Sequence, residues 1–141
     1  NFDLDLAKEE SDKNPVYYVQ YAHARTVNVL KHATEQGHSR ISAESAQLAL
    51  LDTPEEANLI KTLGEFPEVI KGSMQSYEPH RMTGYLREVA SALHSFYFHH
   101  KVVRDDQPLA LTQSRLALVN ATRIVLRNGL NVIGVSAPEK M

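Results

Sequence analysis

The chain has 141 residues, 43% of them apolar, which is enough for one domain with its own core and too much for a disordered tail. It contains no Cys, which excludes disulfides and Cys-based zinc sites, and no run of eighteen apolar residues that would span a membrane. The formal net charge of −2 argues mildly against a strongly basic nucleic-acid groove, but the charge is unevenly placed. Residues 1–12 carry five acids against Lys8, and 52–68 carry five acids against Lys61. His80–Arg104 and Leu109–Arg127 each have a net charge of +3 and could form one basic patch if they pack together.

In chain order, the start from Asn1 to Leu6 lacks the basic segment and apolar run of a signal peptide, and Asn1 is not an initiator Met. The expectation is a chain cut from something longer, with 1–13 a connector and 14–141 a helical domain. Asn14-Pro15 is a helix start, with Asn as the N-cap and Pro at the first position, and Gly37 is its stop. Ser42–Leu51 reads as a short Ala/Leu-rich helix. Thr53-Pro54-Glu55-Glu56 opens another through a capping box, ending near Gly64. Phe66-Pro67-Glu68 opens the next, to about Tyr77.

Pro79 to about Val103 predicts a long helix. Its Met82, Leu86, Val89, Leu93 and Phe96 step by four, three, four and three, which draws one apolar stripe. Leu109–Arg127 is apolar on most sides and should be the buried central helix, stopped by Asn128-Gly129. A last short turn follows at Leu130–Ile133. No alternating strand pattern is present. The architecture expected is all-α, an antiparallel bundle of about five to six helices.

Three constellations could carry function. At about 100° per residue, Tyr18, Tyr21 and Arg25 fall within roughly a 60° sector, with Val16, Val19, His23 and Val27 on the opposite side. Two phenols and a guanidinium suit a nucleobase, by stacking and by paired hydrogen bonds. They equally suit packing against a neighbouring helix or a partner protein, so a helical protein–protein interaction domain is the alternative reading. The second constellation is His94-Ser95-Phe96-Tyr97-Phe98-His99-His100-Lys101, an aromatic and partly cationic run. Its histidines do not fall at the i, i+4 spacing of a metal pair, so no metal site is expected. The third is the tail, where Met141 follows a Pro-fixed turn and could lie against a base. No phosphate loop or nucleophile elbow occurs, and the Glu55/Glu56 and Asp105/Asp106 pairs suit capping and solvation better than acid–base catalysis.

Asn14-Pro15-Val16-Tyr17-Tyr18-Val19-Gln20-Tyr21-Ala22-His23-Ala24-Arg25 resembles the helix that opens the C-terminal domain of bacterial arginyl-tRNA synthetases. Ser91–Tyr97, Arg115–Leu118, Ala121-Thr122-Arg123, Asn128-Gly129-Leu130 and Gly134–Met141 resemble later parts of the same DALR-type domain, so the likeness covers essentially the whole chain. The Tyr-x-Gln-Tyr-x-His-x-Arg helix and the Pro-Glu-Lys-Met end are its specific parts. The resemblance implies an anticodon-binding module of a cytoplasmic class I arginine–tRNA ligase that works as a monomer. Its partners would be the tRNA(Arg) anticodon stem-loop and the catalytic domain of the same chain.

The family's ATP-binding signatures, His-x-Gly-His and Lys-Met-Ser-Lys, do not occur here. By the same resemblance, this portion has no catalytic residues and no cofactor, while the full-length enzyme uses ATP with magnesium. The residues implied at the pocket for the middle anticodon base are Tyr18, Tyr21, Arg25, Tyr97 and Met141. His100 and Lys101 lie one turn on from Tyr97, and Arg123 would add positive field. Phe98-His99-His100 departs from the smaller or amide residues expected there.

Overall fold

The computed structural model describes residues 3–39 and 42–141; the first two residues of the expected connector lie outside this range. Helices α1 (Leu4–Lys8), α2 (Pro15–Glu35), α3 (Pro54–Gly64), α4 (Phe66–Ser76), α5 (Pro79–His99) and α6 (Leu109–Val132) form an all-α bundle, with no strand among the described residues. None of these helices is long and apolar enough to cross a membrane.

Local chemistry explains most of the boundaries. The Asn14 carboxamide oxygen accepts from the Val16 and Tyr17 amides and so starts α2. Its amide nitrogen donates to the carbonyls of Ala7 and Glu9, tying the segment after α1 to the same cap. At the other end Gly37 has φ +87°, and His38 and Gly37 donate back to Ala33 and Thr34 (2.9 and 3.0 Å). That is the left-handed closure that glycine makes cheap. The Thr53/Glu56 capping box opens α3 as the sequence predicts.

Three boundaries differ from the expectations. Ser42–Leu51 is not a helix: turns lead to a single 3₁₀ turn at Leu48–Leu50. The Ser45 amide bonds to the Ser42 hydroxyl, a local alternative to the helical ladder. Leu48 and Leu50 stay exposed, so no apolar face rewards a helix there. Helix α5 stops at His99, where His100 turns to extended backbone. Helix α6 runs through Asn128-Gly129 to Val132. Its stop is Gly134 (φ +73°), with Val135 and Gly134 donating to Leu130 and Asn131.

The predicted stripe of α5 is fully buried at Met82, Leu86, Val89, Leu93 and Phe96. It packs against α2, α3, α4 and α6, and each such side chain contributes about 1.5–3 kcal/mol by leaving water. Helix α6 is buried along most of its length, as its all-round apolar pattern predicts. Glu56 and Arg115 are buried among these helices. Arg115 Nε donates to Glu56 Oε1 (2.7 Å) and Nη1 to the Lys101 carbonyl and Gln107 Oε1 (both 3.1 Å). Burial pushes the Glu56 carboxyl up, but the hydrogen bonds from Arg115 and Thr53 hold it below its ordinary value.

Candidate nucleic-acid interface

The α2 residues Val19, Ala22, His23, Thr26, Leu30 and Ala33 are buried and define its core face. Tyr18, Tyr21 and Arg25 flank that face rather than oppose it. Val16 and Val27, which set the predicted axis, are only half-buried, while Ala22 and Thr26, which hydropathy undercounts, sit at its centre. The flank is the seam with α5. Tyr18 is half-buried there, Tyr21 is 44% exposed and Arg25 is exposed.

Across the seam α5 supplies His94 and, three residues on, Tyr97. The His94 ring lies 5.3 Å from the Tyr18 ring and 6.1 Å from that of Tyr21. Arg25 Nη1 is 3.1 Å from His94 Nδ1, and the Arg25 guanidinium carbon lies 4.7 Å from the Tyr97 ring centroid. Burial, and then the Arg25 charge, hold the His94 imidazole below its ordinary pKa, so it is neutral near pH 7. The chemistry then assigns the Nδ1 lone pair as acceptor from Arg25 and the proton to Nε2. Arg25 is thereby aimed by a hydrogen bond and a cation–π contact together. Burial raises the Tyr97 phenol, with Arg25 opposing, and its hydroxyl is buried without a hydrogen-bond partner among the described residues.

Arg25, Val29, Tyr97, His100 and Lys101 line an open groove of about 410 Å³. A second groove, of about 780 Å³, shares Tyr97, His100 and Lys101 and adds Phe98 and His99, so the two are continuous. His100 is partly committed inward: Nε2 is 3.0 Å from Glu55 Oε2 and Nδ1 is 3.5 Å from Arg115 Nη2. The hydrogen bond to His100 in turn holds the Glu55 carboxyl below its ordinary value.

Four predicted site residues do not line the groove: Tyr18 and Tyr21 stand beside it at the seam, against His94, while Met141 and Arg123 lie elsewhere. The tail lies along a different side of α2, where Gln20 Nε2 donates to the Ser136 carbonyl (3.0 Å) and His23 Nδ1 donates to that of Pro138 (2.8 Å). These anchors sit roughly 140–200° round the helix from Tyr18. Met141 is 47% exposed and does not line the groove. Arg123 donates to Asn120 Oδ1 on α6, and its charge acts on His23 at the tail side.

Three arginines of the two positive segments are already engaged within the domain. Arg115 is internal, while Arg104 and Arg81 pair with Asp106 and Glu78. No cluster of three His, Cys, Asp or Glu able to hold a metal occurs among the described residues. His94 enters the sequence reading as part of the aromatic and partly cationic run and as a rejected metal ligand; its contacts with Arg25 and Tyr18 were missed, and their signal was its place one turn before Tyr97.

Residues 19–141 match the family described as the DALR anticodon binding domain. The chain belongs to that family. This DALR domain is similar to the arginine–tRNA ligase of Geobacter metallireducens, at 53% identity over 140 residues, 99% of this chain and 25% of that protein. It is 49% identical to the arginine–tRNA ligase of Geotalea uraniireducens over the same shares. The Thermus thermophilus arginyl-tRNA synthetase structure matches 99% of the chain with a TM-score of 0.76 at 30% identity, over 23% of its own length. The chain thus spans about a quarter of the length of the relatives it matches.

Proposed function

We propose that this DALR domain receives the anticodon loop of an arginine tRNA as part of an arginine–tRNA ligase. Charging with arginine, ATP and magnesium would belong to a catalytic domain of the same polypeptide, joined through residues 1–13. The ligase would act in the cytoplasm as a monomer. The observation that carries the reading is the guanidinium of Arg25, aimed by neutral His94 and laid on Tyr97 beside an open groove. An unstacked anticodon base needs such a platform and a few donors, not a strongly basic cleft, so a net charge of −2 is compatible with it.

In this reading Tyr97 forms the wall of the groove, while Tyr18 and Tyr21, beside it at the seam against His94, offer ring edges and hydroxyls. Arg25 donates to a base edge or phosphate, while His100 and Lys101 extend the wall and its charge. Arg123 and Met141 have no part in it. The test is titration of an arginine tRNA anticodon stem-loop against the chain and its Arg25→Ala variant. The variant should bind at least about tenfold more weakly, the loss expected for a charged hydrogen-bond donor. The slope of log affinity against log salt should be shallow, about −1 to −2, because few phosphates are neutralised. Equal affinity for both proteins would remove Arg25 from the site.

A further inference from the structure

Phe98 is 85% exposed, although its neighbours Phe96 and Tyr97 are buried and half-buried. A single exposed apolar residue is ordinary, so exposure alone says little. Its setting says more. Phe98 sits in the last turn of α5, directly after the ring on which Arg25 lies, and lines the groove that continues the Arg25 groove through Tyr97, His100 and Lys101. Its ring is braced. The His99 ring meets it edge-on at 5.0 Å and 78°, and His99 Nδ1 is itself held by the Ser95 carbonyl at 2.9 Å. Exposed Lys101 puts a cation in the same groove; of the other charged groups that line it, Arg104 and Asp106 are engaged with each other and Asp105 adds one carboxylate.

Resting on the anticodon reading, we propose that Phe98 is a second base platform, which stacks the unpaired nucleotide next to the one held at Arg25 and Tyr97. A single strand presents a phosphate between every two bases, and Lys101, shared by both grooves, is the cation placed to meet it. The braced aromatic and the neighbouring cation together match the pattern by which single-stranded nucleic acid is held, with stacking indifferent to the identity of the base. An aromatic beside a cation would by itself equally suit a protein carrying a carboxylate; it is the continuity with the Arg25 groove that ties this ring to the proposed RNA site. The occupant is therefore an RNA base, and this second position contributes affinity more than sequence choice.

The chain contains no Trp, so Phe98→Trp supplies a sole indole at the platform. Titrated with the arginine tRNA anticodon stem-loop, this variant should bind as the parent does, and its emission should be quenched as the base stacks on the indole. Phe98→Tyr should also bind as the parent does. Phe98→Ala should bind about 5- to 150-fold more weakly, the range spanned by loss of one base–aromatic stack, with an unchanged melting temperature because the side chain is exposed.

Phe98→Ala affinity within about twofold of the parent, or indole emission unchanged at saturation, overturns the platform. Loss of binding in Arg25→Ala would leave the anticodon reading standing in that case. Failure of the parent itself to bind the stem-loop overturns both. A change of sedimentation behaviour in Phe98→Ala with RNA affinity intact would assign the ring to a protein contact and overturn the platform.

Discussion

Two imidazoles in this domain are held neutral, and for the same leading reason. Burial lowers the pKa of His23; the Pro138 carbonyl opposes this, and the Arg123 and Arg127 charges reinforce it. Burial also lowers that of His94, and Arg25 adds to it. In the unfolded chain each binds a proton near its ordinary value of about 6.5, in the folded chain only at lower pH. The unfolded state therefore binds more protons in that interval. The stability these residues contribute is complete above about pH 6.5 and is lost as pH falls through the depressed folded values. Melting temperature should fall between about pH 7.5 and about pH 5, and the fall should be shallower in His23→Gln. Imidazole proton signals should show His23 and His94 titrating below the ordinary value; a His94 midpoint above it would contradict the tautomer assigned here. The common placement of Tyr18, Tyr21 and Arg25 on one flank of α2 was legible in the sequence because spacing along one helix is a local property. His94 was not, because its role arises across a seam between two helices 69 positions apart.

At the level of elements, signals confined to one turn were read correctly. The Asn14 cap, the Thr53/Glu56 box and Gly37 each act through hydrogen bonds within a few residues. Gly129 was misread because a glycine near a helix end has two meanings. Here it is buried inside α6, where a Cβ would run into Leu86 Cδ2 and lie 3.1 Å from the Leu86 Cγ and Cδ1. Close approach of α5 and α6 requires the glycine, not a turn. In an open helix Gly→Ala gains about 1 kcal/mol of helix propensity. Overpacking against a side chain with no room to move costs about 1–3 kcal/mol, so the clash should win. Gly129→Ala should lower the denaturant midpoint at an unchanged slope, and a raised midpoint would show that Leu86 can yield.

For the whole molecule, composition and periodicity gave the all-α class, whereas segment charge totals left open one basic patch or ordinary solvated faces. Of the net +3 in Leu109–Arg127, Arg115 is consumed by Glu56 in the interior, a pairing 59 positions apart that no pattern displays. The strap of the tail on α2 spans greater distances still, 116 positions from Gln20 to Ser136 and 115 from His23 to Pro138. By contrast α3, α4 and α5 are near neighbours in sequence and pack on one another. Closing a long loop has an entropic cost that must be met before its contacts reward it, so the α3–α5 unit should nucleate and α2 should dock late. In chevron measurements Leu93→Ala should slow folding, while Val19→Ala and Leu30→Ala should chiefly speed unfolding. Slowed folding for Val19→Ala would reverse that order. Since α2 is one wall of the groove and α5 the other, the recognition surface comes into being only with the last closure of the chain. A molecule stalled one step short of native would keep most of its helices and have nothing with which to read RNA.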